Sequence, residues 1–237
     1  MQWWLDQLAR FFAPENMGLF WQSVGMTIFL TAFGFGVGFL LAFVVAAIRQ
    51  STSLASLPLR ILVIGFVELF RRIPFLVVIY LVLFFSAAFI KGASLTFIGL
   101  TALCIYSTVY LSEIVRGGFE AVPRQQTEAA AAMNFSRWQA LRAIIIPQSM
   151  PVILPPAVAF AVAFVKDTSL VSQIGIFELA FRAKELVNQG HSAFFTYGII
   201  ALIYFALSYP LTRLGRWLET RLASPRGQRP ARELRPA

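Results

Sequence analysis

The sequence predicts an all-α membrane protein: five transmembrane helices with one helix–turn–helix loop on the cytoplasmic side. Three observations carry that expectation. Hydrophobic residues make up 58% of the 237 positions and charged residues only 13%, whereas soluble domains average about 45–50% and about 25%. Five stretches, 16–48, 73–90, 92–112, 143–165 and 186–212, hold no Asp, Glu, Lys or Arg. The Lys and Arg residues are also divided unevenly between the connections.

A helix needs roughly 20 apolar residues to cross about 30 Å of hydrocarbon. Four of the gaps meet that length, and the 18-residue gap meets it with Phe66–Phe70 leading in. The expected spans are about 20–48, 66–90, 92–113, 149–166 and 194–214, within one transmembrane domain, 16–220. Residues 1–15 are expected to form an interfacial amphipathic helix. Trp4, Leu8, Phe11 and Phe12 recur there at helical spacing, with Asp6, Gln7 and Arg10 between them. The same polar residues interrupt any signal-peptide core. Trp21 and Trp217 suit the aromatic belts at span ends. The Pro/Arg-rich stretch 221–237 is expected to be a basic, disordered cytoplasmic tail.

With five crossings the termini lie on opposite sides. One side receives 15 Lys and Arg residues, among them Arg49, Arg71, Arg116 and Arg213. The other receives five: Arg10, Lys91, Lys166, Arg182 and Lys184. The richer side is the cytoplasmic one, which puts the N-terminus outside and the C-terminus in the cytoplasm. The net charge of +9 is then a topology signal, and nucleic-acid binding is not required to explain it. A single cysteine, Cys104, and a single histidine, His191, exclude a disulfide framework and leave no metal site to expect.

The one substantial polar loop is 116–148, RGGFEAVPRQQTEAAAAMNFSRWQALRAIIIPQ. Pro123 suits a first helical turn, and TEAAAAM has high helix propensity. Asn134 tolerates the left-handed conformation that ends helices. Ser136 and Gln139 match a capping box that starts a second helix. Trp138, Leu141 and Ile145 give that helix an apolar stripe, and Pro147 is expected to disrupt or end it. On these residues alone the loop is either a surface hairpin joining two spans or a docking element for a cytoplasmic partner.

Glu128–Ala130 (EAA), Asn134 and the I-x-x-P run ending at Pro147 resemble the EAA loop of ABC-importer permeases. That consensus reads E-A-A-x-x-x-G, nine residues, then I-x-L-P. The spacing is kept; Asn134 replaces the glycine and Ile146 the leucine. VELFRRIPFL (67–76), YLSEIVRGGFEAVPRQQTEAA (110–130) and KDTSLVSQIGIFEL (166–179) are similar to segments of the polar amino-acid subgroup, the histidine, glutamine and glutamate type. In the first of these, Arg72 and Ile73 stand for Gly and Thr.

The resemblance implies the permease subunit of a bacterial ABC importer with a type I importer fold, a multi-pass protein of the cytoplasmic (inner) membrane that forms the path for a polar amino acid. It implies coupling to a cytoplasmic ATPase through Glu128, Ala129, Ala130, Asn134, Ser136 and Pro147. The implied partners are ABC ATPase subunits, a second permease copy or a sister permease, an extracytoplasmic amino-acid-binding protein, and the amino acid itself. ATP and Mg would be used by the ATPase, with no cofactor and no catalytic residue in this chain. Consistently, no glycine-rich G-x-x-x-x-G-K-[ST] loop is present.

Ionisable and polar groups near membrane depth are the candidates for the solute path: Asp167, Thr168, Ser169, Glu68, Glu113 and Arg72. Asp167 is expected in the outer half of the fourth span, either lining a cavity with Thr168 and Ser169 or solvated at an interfacial helix end. Glu68 with Arg71 or Arg72, and Glu113 with Arg116, also have the spacing of helical ion pairs. The rival readings are a secondary carrier or channel, a membrane-embedded enzyme, and an exporter. The first predicts transport independent of any ATPase; the second predicts His/Asp/Glu clusters within the spans.

Overall fold

The computed structural model describes residue 8 and residues 11–51 and 54–222. Most of the predicted N-terminal helix and tail lie outside these residues. Within them every regular element is helical. The helices are α1 (Pro14–Gln50), α2 (Leu57–Phe70), α3 (Phe75–Phe89), α4 (Leu95–Glu120), α5 (Arg124–Ala132), α6 (Arg137–Ala140), α7 (Ile146–Asp167), α8 (Leu179–Asn188) and α9 (Ala193–Leu222). Four helical runs are long and apolar enough to cross a bilayer: α1, α4, the run Arg137–Ile174 and α9. The bent pair α2–α3 supplies a fifth when it counts as one span.

That pair changes the expected second span. Residues 66–90 do not form one straight helix, because α2 and α3 meet at 118°. Pro74 is responsible. It has no N–H to continue a helix, and it biases Ile73 away from the helical region. The chain instead turns through Arg71–Ile73, and a new helix starts with Val78 N–H donating to the Pro74 carbonyl. Phe66–Phe70 therefore belong to a different direction, and α3 by itself rises only about 22 Å at 1.5 Å per residue.

A second difference lies at Pro147. The backbone widens into a π turn at Leu141–Ile145, and Pro147 falls in the first turn of α7. The π turn before it accommodates the ring and the missing N–H without ending the helix. The loop's second helix consequently runs on into the fourth span as one stretch, Arg137–Ile174. Pro151, Pro155 and Pro156 also lie inside α7.

The core is built on α1 and α4, which run side by side in the same direction. Gly34 and Gly38 face Ser107, whose hydroxyl donates to the Gly34 carbonyl at 2.7 Å. A Cβ on Gly38 would lie 1.9 Å from Ser107 Oγ and 3.0 Å from the Thr108 nitrogen. In lipid, where hydrophobic expulsion gives helices no reason to associate, such close backbone approach supplies the packing. Leu30, Ile79, Leu103 and Phe164 complete the buried cluster from α1, α3, α4 and α7. A second cluster seats α8 against α1 and α9 and includes Phe11, which packs on Phe20 and Phe195. Replacing Gly38 with Ala is expected to overpack this contact at a cost of about 1–3 kcal/mol. Thermal unfolding in detergent should show a lower midpoint than wild type, while Gly36→Ala, which meets open space, leaves it near wild type.

Candidate functional site

The 116–148 loop folds as an exposed helix pair. α5 ends in a left-handed turn: Asn134 has φ 61°. Its N–H bonds the Ala131 carbonyl at 2.9 Å, and the Phe135 N–H bonds the Ala130 carbonyl at 3.0 Å. This is a Schellman termination. Ser136 then caps α6 in a complete capping box with Gln139. Between Pro123 and Gln139 only Ala130 is buried; Glu128 and Ala129 face outward.

Three apolar side chains at the turn are also uncovered: Met133, Phe135 and Trp138, the last 65% exposed. The predicted apolar stripe thus divides. Leu141 and Ile145 pack on the core, while Trp138 does not. Glu128 makes no ion pair among the described residues. It also lies beyond the first turn of α5, outside the reach of the helix dipole's positive end. Neither feature gives its carboxylate a local role.

At the end of α4 that leads into this pair sits a charge network. Glu113 receives Arg116 Nη2 at 2.9 Å, Arg71 Nη1 at 3.4 Å, and Arg49 Nη1 in a short contact. Arg116 also holds Glu120 at 2.6 Å. Glu68 pairs with Arg72 at 3.0 Å and with Arg71 at 3.8 Å. The helical pairs expected from spacing are therefore present. The link from Arg49 on α1 to Glu113 on α4 is not visible in spacing, because 64 residues separate the partners. The three candidates Glu68, Arg72 and Glu113 are thus brought together at the loop end of the bundle.

Asp167, Thr168 and Ser169 diverge. Asp167 accepts a hydrogen bond from the Tyr106 hydroxyl at 2.9 Å. Tyr106 lies near the middle of α4, so the half-buried carboxylate at the end of α7 is tied to that helix. Phe75, Phe160, Phe164 and Tyr110 surround Tyr106 at ring separations of 4.3–6.1 Å. Thr168 is fully buried and donates to the Val165 carbonyl at 2.7 Å. Ser169 instead lines a groove of about 640 Å³ between α7 and α9, with Lys166, Tyr204, Ser208 and Arg216. No cluster of three or more His, Cys, Asp or Glu side chains suited to a metal occurs among the described residues.

Two buried charges escaped the sequence reading. Glu178 is fully buried, accepting from the Phe181 N–H at 2.9 Å and the Tyr204 hydroxyl at 2.7 Å. Arg182, 1% exposed, reaches Glu185 at 2.6 Å and Asn16 at 2.8 Å. The available signal was the amphipathic pattern of 179–188, whose apolar face carries Arg182. Burial pushes the Glu178 carboxyl above the ordinary carboxylate range, despite the hydrogen bonds that favour its ionised form. A raised folded value means the native state keeps a proton that the unfolded chain releases. This contribution to stability is therefore full below about pH 4.3 and is lost as pH rises through the raised value. The unfolding midpoint of wild type is expected to fall relative to that of Glu178→Gln as pH is raised through this window, read by scanning fluorimetry from pH 4 upward.

The described residues thus form an all-helical bundle that carries an exposed helix pair with EAA at its surface. The family described as "Binding-protein-dependent transport system inner membrane component" matches residues 38–224, and the chain belongs to it. It is 30% identical to the probable glutamine ABC transporter permease protein GlnP of Bacillus subtilis, covering 89% of this chain and 96% of that one. It is 29% identical to the inner membrane amino-acid ABC transporter permease protein YhdY of Escherichia coli over 94% of its own length, and spans 62% of that relative. Among solved structures, the crystal structure of an amino acid ABC transporter with histidines superposes with TM-score 0.77 at 29% identity, covering 87% of this chain and 95% of that one. The protein is thus a multi-pass inner-membrane permease and not itself an enzyme. Membership in the family implies an ATPase and a binding protein as its partners.

Proposed function

We propose that this permease forms the path for a polar amino acid and takes its driving force from a cytoplasmic ATPase seated on the α5–α6 pair. The observation that carries the reading is the exposed pair itself. Glu128 makes no ion pair among the described residues, and Met133, Phe135 and Trp138 present uncovered apolar surface beside it. A buried or self-satisfied hairpin would show neither feature. A partner with a basic group and an apolar cleft would satisfy both, and an aromatic anchor such as Trp138 is the kind of side chain that dominates interfaces. Ala129 and Ala130 keep the helix narrow there, Asn134 and Ser136 fix the turn, and Pro147 begins the span that would carry the motion inward. ATP and Mg would be handled wholly by the ATPase.

The amino-acid substrate is supported by the names of the relatives and by the polar groups at the α4–α7 contact. Asp167 on Tyr106 is the candidate contact for a solute ammonium, with Thr168 and Ser169 beside it in the chain. A second permease copy or a sister permease would complete the path, and an extracytoplasmic binding protein would deliver the solute. The excess of Lys and Arg on the loop side supports an outer N-terminus and a cytoplasmic C-terminus. Movement would be rigid-body alternating access, driven by approach of two ATPase subunits.

The test is a pull-down of tagged chain from solubilised native membranes, followed by uptake of radiolabelled L-glutamine, L-glutamate, L-histidine and L-arginine into proteoliposomes loaded with ATP. Wild type should retain an ATPase and accumulate at least one of the four. Glu128→Arg should lose the ATPase or uncouple it, lowering uptake by about tenfold or more. Asp167→Asn should retain the ATPase and still lower uptake. Uptake by wild type that survives ATP depletion would replace this reading with a secondary carrier.

A further inference from the structure

We propose that Glu113 is a positioning residue that ties the α5–α6 pair to the α2–α3 elbow, with Arg71 as its exchangeable partner. The proposal rests on the importer reading above and assigns a route for the movement within the chain.

Glu113 stands two turns before the end of α4, and only Ala121–Pro123 separate α4 from α5. Any displacement of the exposed pair is therefore delivered first to this end of α4. Three guanidinium groups meet the Glu113 carboxylate, each from a different element: Arg49 from the end of α1, Arg116 from α4 itself, and Arg71 from the elbow. The three contacts are unequal. Arg49 is 11% exposed and Arg116 is held on both Glu113 and Glu120. Arg71 is 41% exposed and lies farthest from the carboxylate, at 3.4 Å. It also stands 3.8 Å from Glu68 on α2. The same Arg71 Nη1 stands within ion-pair distance of both carboxylates, so the elbow has two available anchors, one on α4 and one on α2.

The elbow is the part of the bundle made to move. Its backbone is interrupted at Pro74, and α2 and α3 already differ in direction by 118°. Besides Arg71, a long hydrogen bond from the Tyr110 hydroxyl to the Arg71 carbonyl, 3.5 Å, and the stacking of Phe75 on Tyr106 tie it to α4. Apolar contacts would fasten three helix ends as stably as a half-buried ion cluster does, but they offer no discrete alternative partner. A carboxylate shared among three arginines does. Glu113 keeps Arg49 and Arg116 while Arg71 changes sides, so α1 and α4 stay joined as the elbow is released.

The experiment uses the whole transporter, purified with its ATPase and binding protein and reconstituted in proteoliposomes. ATP hydrolysis and uptake of radiolabelled L-glutamine, L-glutamate, L-histidine and L-arginine are measured in the same vesicles. In Arg71→Gln, hydrolysis should stay within about twofold of wild type while uptake falls by about tenfold, so that more ATP is spent per solute. Arg71→Lys, which keeps the charge, should recover most of the uptake. Glu113→Gln should uncouple at least as strongly; if it does not assemble, Arg71→Gln decides. Hydrolysis and uptake that fall in parallel, or that both stay at wild-type level in Arg71→Gln, overturn the assignment while leaving the importer reading intact. A wild type without ATP-dependent uptake overturns both.

Discussion

The close approach of α1 and α4 at Gly34, Gly38 and Ser107 is the contact on which the rest of the bundle depends. Two parallel helices brought to backbone distance fix each other's rotation, because Ser107 must bond the Gly34 carbonyl and no side chain intervenes. That rotation carries Ala42, Ala46, Leu111 and Val115 into one seam a few turns further on. It also delivers Arg49 to Glu113 at the seam's end. Elements α3 and α7 then close on the remaining face through Ile79 and Phe164. The order of causes runs from small residues, through helix rotation, to the placement of a charge cluster that membrane depth would otherwise make expensive.

Charges in this chain are segregated by what satisfies them. At the loop end, carboxylates and guanidinium groups meet in a shared network that remains partly hydrated. Around α8 the two most buried charges are handled differently. Glu178 relies on hydrogen bonds from a phenol and a backbone amide, and Arg182 on one carboxylate and one amide oxygen. The Nε of Arg182 has no partner among the described residues. A buried guanidinium with a donor unspent is held by its packing, and α8 is consequently fastened between α1 and α9. Between these two regions Asp167 is met by one hydroxyl in an aromatic surround. A single neutral donor leaves most of that carboxylate's acceptor capacity unused, which distinguishes it from Glu113 in its three-arginine network.

Much of this was legible in the sequence, and the reasons are local. Charge-free gaps locate spans because the bilayer penalises charge wherever it falls, independent of tertiary structure. Asn134 and Ser136 reveal the turn because left-handed backbone and capping are properties of single residues and their near neighbours. What the sequence concealed is of another kind. The gap 73–90 invited extension back through Phe66–Phe70, since hydropathy registers composition and is blind to direction; Pro74 was the available evidence for the bend. Pro147 is expected to disrupt or end the helix; the π turn before it is the disruption, and the helix continues. Glu113 was matched to Arg116 by spacing, while its contacts with Arg49 and Arg71 come from helices whose rotation only packing determines. The burial of Glu178 and Arg182 is not legible because they lie in a connection, and connections are usually wet.

The same physics limits how such a permease can move. Helices joined at glycine contacts cannot slide without opening voids or clashes, so α1 and α4 behave as one body. Deformation is then confined to places where the backbone hydrogen-bond ladder is already interrupted: the elbow at Arg71–Pro74, the π turn at Leu141–Ile145, and the proline-bearing start of α7. The elbow is linked to the exposed pair through Glu113 on α4, and the π turn through the covalent run from α6 into α7. A push on the pair therefore meets a stiff α1–α4 unit between two compliant joints. The compliant joints must yield first, and α3 and α7, which jointly frame the Tyr106–Asp167 contact, are the segments they release.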